Sequence, residues 1–209
     1  MEKLVQLLRS INKRSEVRDL VKLRIHEFRE NGNKSTDEIN KELCFCILTA
    51  KFNAEKCIRI QKEIDDDFLT LSESQLAKKL KELSHRYPNT RAKYIVDARM
   101  CKEQIKERVS SHGDKQELRD WLVVNIRGIG YKEASHFLRN IGFNDFAIID
   151  FHIIDLLMRF GLIKKPKNIG KKKYLAIEKA LKKMSEELNM NLAELDLYMW
   201  YHETGKILK

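Results

Sequence analysis

The sequence predicts an all-α protein of two helical lobes, with a ligand cleft between them, on three observations. Its 209 residues include only two prolines, Pro88 and Pro166, so long stretches carry no helix breaker. Strict alternation of apolar and polar residues, the mark of half-buried strands, is scarce. Helix starts recur instead as a capping residue with Glu or Gln three positions later: Ser35 with Glu38, Ser72 with Gln75, Asp114 with Glu117, and Asn191 with Glu194.

Between those starts the apolar residues keep helical spacing. Leu76, Leu80 and Leu83 form one stripe; Tyr174, Ile177, Leu181, Met184 and Leu188 form another, and both read as core faces. The best breaks are "RENGNKS", Arg29 to Ser35, and "FGLIKKPKNIGKKK", Phe160 to Lys173. They divide the chain into a central lobe over 31–149 and a second lobe built from 1–30 plus 150–209. Clefts between such lobes are common ligand sites.

Composition narrows the function. With 43% hydrophobic and 34% charged residues, the chain is long enough to bury a core and reads as soluble and globular. No run reaches the roughly 18 apolar residues of a membrane span, and "MEKLVQLLRSINKRSEV" lacks the apolar core of a secretory signal. An intracellular protein of the cytoplasm or nucleoid, with no membrane partner, is expected. Cys44, Cys46, Cys57 and Cys101 make no CxxC and meet no histidine set at ligand spacing, so buried thiols are expected and no metal. A net charge of +10 points to a polyanionic partner, because Lys and Arg displace counterions condensed on nucleic acid. The densest basic run, "IKKPKNIGKKKY", reads equally as a solvated face.

The most informative stretch is "NIRGIGYKEASHFLRNIG", Asn125 to Gly142. A helix ends at Asn125 and Ile126, "RGIG" turns, and a second helix starts near Tyr131, with Ala134, Phe137, Leu138 and Ile141 apolar and Gly142 as its stop. Gly128 and Gly130 are expected to take positive φ and let the backbone approach a partner, with helix N–H groups aimed at an anion such as phosphate. An ordinary helix-helix connection explains the same two glycines. Downstream, "AIIDFHIIDLL" puts Asp150 after an apolar run and at the start of another helix, where capping and chemistry are compatible roles.

"IRGIGYKEASHFL" resembles the helix-hairpin-helix motif of a DNA glycosylase superfamily, in which this hairpin is coupled to a catalytic aspartate in the position of "AIIDFHI". Together with "ELCFCILTA", "SHRYPNTRAKYIV" and "LDLYMWYHETGKILK", it is similar to the archaeal-type second family of 8-oxoguanine DNA glycosylase/lyases, from about Val17 to Lys209. The resemblance implies a bifunctional DNA repair enzyme acting as a monomer on double-stranded DNA that contains an oxidised purine.

Residue roles follow from the same resemblance. Lys132 is the nucleophile that attacks the sugar C1′, and Asp150 is the acidic partner. A lysine forms a Schiff base only as the neutral amine, which desolvation, nearby positive charge and a helix N-terminus favour; an exposed lysine at a helix start is the plain alternative. Gly128 and Gly130 hold a DNA phosphate. Trp200 stacks the flipped base and the terminal carboxylate of Lys209 accepts from N7–H, which 8-oxoguanine has and guanine lacks. A core tryptophan and a loose tail are the ordinary readings of those two. "LTAKFNAEKC" occupies the wedge loop, with Lys51, Phe52 and Asn53 as candidates; Phe52 reads equally as core. Two departures stand out: Lys51 replaces a usual amide, and Phe151 a usual basic residue. His152 reads as a helix-face histidine. No cofactor is implied, since related lyases that hold an iron-sulfur cluster use four cysteines near the carboxyl terminus and none follows Cys101 here. A lyase for another lesion, or a non-catalytic hairpin protein, are the alternatives.

Overall fold

A computed structural model describes residues 1–111 and 113–209. Among the described residues the structure is all-α, with thirteen helices and no strand, as the scarcity of prolines and of strand-like alternation predicts. No helix among them is long and apolar enough to cross a membrane.

The four sequence-derived starts are all helix caps. Ser35 opens α3 (Thr36–Thr49), and Ser72 opens α6 (Glu73–Glu82). Asp114 opens α9 (Lys115–Asn125), and Asn191 opens α13 (Leu192–Thr204). Ser72 with Gln75 and Asn191 with Glu194 form reciprocal capping boxes. Asp114 instead accepts from the Gln116 N–H at 2.7 Å. Each cap satisfies an otherwise orphaned helix N–H.

The chain divides into two compact units, residues 31–137 and residues 1–30 with 138–209. The first is built around α3, buried from Ile39 to Thr49. Packed on it are α4 (Ala54–Ile64), the short α5 (Asp67–Thr70), α7 (Pro88–Arg99) and α8 (Lys102–Ser110). A helix buried on every side along this stretch is central, with no face left to give to water. In the other unit α13 has that place, buried from Leu192 to Met199 and packed by α1 (Glu2–Asn12), α11 (Phe151–Arg159) and α12 (Lys171–Glu187). The α12 stripe is core: Tyr174, Ile177, Leu181, Met184 and Leu188 are all buried.

Two sequence-derived boundaries shift. The first break begins later than Arg29, because α2 (Ser15–Gly32) continues through "ENG"; its buried stripe of Val17, Val21, Ile25 and Phe28 outweighs local propensity. The change of unit falls inside α10 (Tyr131–Asn140) rather than after residue 149. Residues 138–149 spend their polar contacts elsewhere. Arg139 forms a buried ion pair with Asp196, the Asn144 carbonyl accepts from Leu192 N–H at 3.1 Å, and the Ala147 N–H donates to Glu178 at 2.9 Å.

Candidate active site

The helix-hairpin-helix is formed by α9, the turn 126–130 and α10. Gly128 has φ +82°, and a Cβ added there would lie 2.3 Å from Cδ2 of Tyr94. Only glycine permits both the dihedral and that contact. Gly130, expected to share this conformation, does not: it is absent from the positive-φ glycines. Its carbonyl instead accepts the first α10 bond, from Ala134 N–H at 2.9 Å. At the far end Gly142 (φ +96°) closes α10 with the expected stop. Its N–H donates to Arg139 O and the Phe143 N–H donates to Leu138 O, at 2.9 and 3.0 Å.

Lys132 stands on the first turn of α10 and is half-buried. Its Nζ lies 3.1 Å from Oε1 of Glu133. The second oxygen of that carboxylate accepts from the Gly130 N–H at 3.2 Å. Glu133 went unnoticed in the sequence, where it looks like an ordinary acidic residue in a helix's first turn. Cys57 of α4 is buried near enough for the lysine's charge to reach its thiol. Burial pushes that thiol up to about 12, with Lys132 and Arg91 pulling the other way.

Asp150 caps α11, its Oδ1 accepting from Ile153 N–H at 3.0 Å, and it is only half-buried. The capping role and an accessible carboxylate therefore coexist. The preceding residues, Phe146 to Ile149, are all buried, which brings their backbone polar groups out of water and requires partners for them. Tyr174 and Glu178 on α12 supply these: the Tyr174 hydroxyl donates to Ala147 O at 2.6 Å and accepts from Ile149 N–H at 3.3 Å. Both residues are supports for the aspartate that helical periodicity reveals only as core.

The loop over 50–53 joins α3 to α4. Lys51, at its tip, is exposed and takes φ +59°, a conformation that asparagine adopts more readily than lysine. Phe52 is half-buried and lies over His85, ring centroids 4.3 Å apart. Asn53 uses its side chain as the α4 cap, accepting from Lys56 N–H at 2.9 Å. Two buried side chains clamp the loop from below. Arg91 donates to Ala50 O at 2.6 Å, and His85 Nε2 bonds Leu48 O at 3.1 Å. Because His85 Nδ1 accepts from Tyr87 N–H at 3.1 Å, Nε2 carries the proton.

Trp200 is half-buried on α13 and packs nearly perpendicular to the ring of His152, centroids 4.8 Å apart. His152 in turn lies 3.9 Å from the ring of Phe151, which is 68% exposed. Phe151, His152 and Trp200 thus form an aromatic file beginning next to Asp150. Lys209 ends the chain half-buried, beyond the left-handed Gly205 that stops α13. Asp150, Trp200 and Lys209 belong to the same compact unit; Gly128, Gly130, Lys132, Lys51, Phe52 and Asn53 belong to the other. Of the cysteines, Cys44, Cys46 and Cys57 are buried and Cys101 is partly exposed. Among the described residues no group of three or more His, Cys, Asp and Glu is arranged to hold a metal ion.

Comparison with known proteins gives this geometry a context. The family described as 8-oxoguanine DNA glycosylase matches residues 21–190. An 8-oxoguanine DNA glycosylase/AP lyase of Methanocaldococcus jannaschii is 54% identical over 198 residues, covering 94% of this chain and 95% of that protein. One of Korarchaeum cryptofilum is 51% identical, covering 94% of each. The solved structure of the M. jannaschii 8-oxoguanine glycosylase/lyase in complex with a 15mer DNA containing 8-oxoguanine has a TM-score of 0.96 and 51% identity, over 99% of this chain and 100% of that one. The hairpin, the aspartate after an apolar run and the full-length likeness converge: this chain belongs to the 8-oxoguanine DNA glycosylase family.

Proposed function

We propose that this protein excises 8-oxoguanine from double-stranded DNA and then cleaves the strand at the abasic site, with Lys132 as nucleophile and Asp150 as its acidic partner. The observation that carries the reading is the full-length likeness to a glycosylase/lyase solved with DNA containing 8-oxoguanine. It is supported by a lysine on the first turn after a glycine hairpin.

The sequence of events follows from the chemistry of these side chains. Gly128 and Gly130 bring the hairpin backbone against a DNA phosphate, and the target nucleotide leaves the stack. Lys51 and Phe52 fill the gap it leaves. Trp200 offers the base a stacking face, and the carboxylate of Lys209 accepts the N7–H that guanine lacks. The neutral amine of Lys132 attacks C1′ as the bond to N9 breaks, and the base departs with the electron pair. The Asp150 carboxylate stabilises the positive charge developing on the sugar. Ring opening yields an imine at C1′, which acidifies the C2′ hydrogen, and β-elimination breaks the C3′–O bond. The protein works as a monomer inside the cell and requires no cofactor for this chemistry.

Borohydride trapping tests the assignment. With duplex DNA bearing 8-oxoguanine, the wild type should form a covalent adduct, and Lys132→Gln should form none while binding DNA within about threefold of the wild-type Kd. A wild type that gives no adduct refutes the lyase chemistry. An adduct from Lys132→Gln moves the nucleophile elsewhere.

A further inference from the structure

On an α-helix, neighbours at i and i+1 point to different faces, yet Lys132 and Glu133 are in contact. The reason is the hairpin. Glu133 occupies the third position after Gly130, from which its side chain folds back so that Oε2 accepts from the Gly130 N–H at 3.2 Å. That bond leaves Oε1 3.1 Å from the Lys132 Nζ. The two side chains are 14% and 24% exposed, so water screens the pair less than it would on an open surface.

We propose that Glu133 is a positioning residue for the nucleophile, holding Nζ against the hairpin and stabilising the positive charge that nitrogen acquires on bonding to C1′. This rests on reading Lys132 as the nucleophile. As the neutral amine adds to the sugar, its lone pair becomes the N–C1′ bond and the nitrogen becomes cationic. The charge persists on the nitrogen of the protonated imine. A carboxylate already fixed beside that atom stabilises the charge without reorganising. Because the same carboxylate is anchored by the N–H of Gly130, the position of the amine is tied to the hairpin that engages the DNA.

Single-turnover adduct formation and DNA affinity separate this role from simple helix capping. Glu133→Gln keeps an oxygen for the Gly130 N–H but loses the charge. Its adduct should form roughly 10- to 100-fold more slowly, with Kd within about threefold of wild type. A Gln variant as fast as wild type overturns the proposal, because a cap alone would then suffice. Glu133→Ala provides a second route should the Gln variant not fold: formate, and not formamide, should restore part of its rate. Equal rescue by both, or by neither, overturns the charge role. Parallel reactions with wild type and Lys132→Gln keep the two readings distinct, since a wild type without adduct, or a trapped Lys132→Gln, defeats the assignment of the lysine itself.

Discussion

The Tyr174 hydroxyl donates to the carbonyl oxygen of Ala147 at 2.6 Å, three residues before Asp150. The Tyr174 hydroxyl oxygen in turn accepts from Ile149 N–H, so one side chain on α12 ties down the buried approach to the aspartate. Tyr174→Phe keeps the ring and removes both bonds. It should cost about 1–3 kcal/mol in denaturant unfolding, the penalty of unsatisfied buried groups. On the role proposed for Asp150, it should also slow borohydride-trapped adduct formation more than it weakens DNA binding, because a small displacement of a reacting group is costly. Equal loss of rate and affinity would count against a link to Asp150.

His85 should make stability depend on pH. Burial holds its imidazole below the ordinary histidine value, partly opposed by the Leu48 carbonyl. A histidine depressed in the folded state contributes its full stability above about pH 6.5. That contribution is lost as pH falls below this value and through the lower folded-state one. Urea midpoints from pH 8 to 5 should therefore fall more steeply for wild type than for His85→Gln. Parallel curves would refute it.

The thiols should fall into two classes. Burial pushes Cys44 and Cys57 up to about 12, Cys46 is equally enclosed, and Cys101 is partly exposed. Thiolate is the reactive form. A disulfide exchange reagent should react quickly with one thiol of the native protein and with all 4 in denaturant; Cys101→Ser should abolish the fast phase.

Arg139 and Asp196 form an ion pair whose side chains are 4% and 7% exposed, and the guanidinium also lies 4.7 Å from the Phe28 ring centre. Asp196→Ala should destabilise the protein by about 3–5 kcal/mol in urea, since it leaves a buried charge without its counterion. Replacing both residues, with Arg139→Met and Asp196→Leu, should recover much of that loss.

What the sequence made legible was local. Ser35, Ser72, Asp114 and Asn191 act within three residues of themselves, and their spacing is sufficient to mark helix starts. The hairpin and Asp150 were legible through the glycines, the lysine and the apolar run before the aspartate. The supports were not. Arg139 finds Asp196 57 positions away, and Tyr174 reaches back 27 positions to Ala147; helical periodicity records that such residues are inside, but not what they bind. Gly130 failed as a positive-φ glycine because the turn needs that conformation only at Gly128, where Tyr94 fills the space. Glu133 escaped notice because a contact between adjacent helical residues leaves no trace in a 3.6-residue period.

The clamp on the 50–53 loop separates what the tip is from where it is. Arg91 and His85 grip main-chain carbonyls at Ala50 and Leu48, and Asn53 commits its side chain to the next helix. None of these contacts uses the side chain of Lys51. Natural variation can therefore exchange the residue at the tip, asparagine included, without renegotiating the scaffold, whereas inserting or deleting one residue would disturb the anchors on both sides. On the proposed wedge role of this loop, a lineage adapting to new lesions would change the tip by substitution and keep the loop's length.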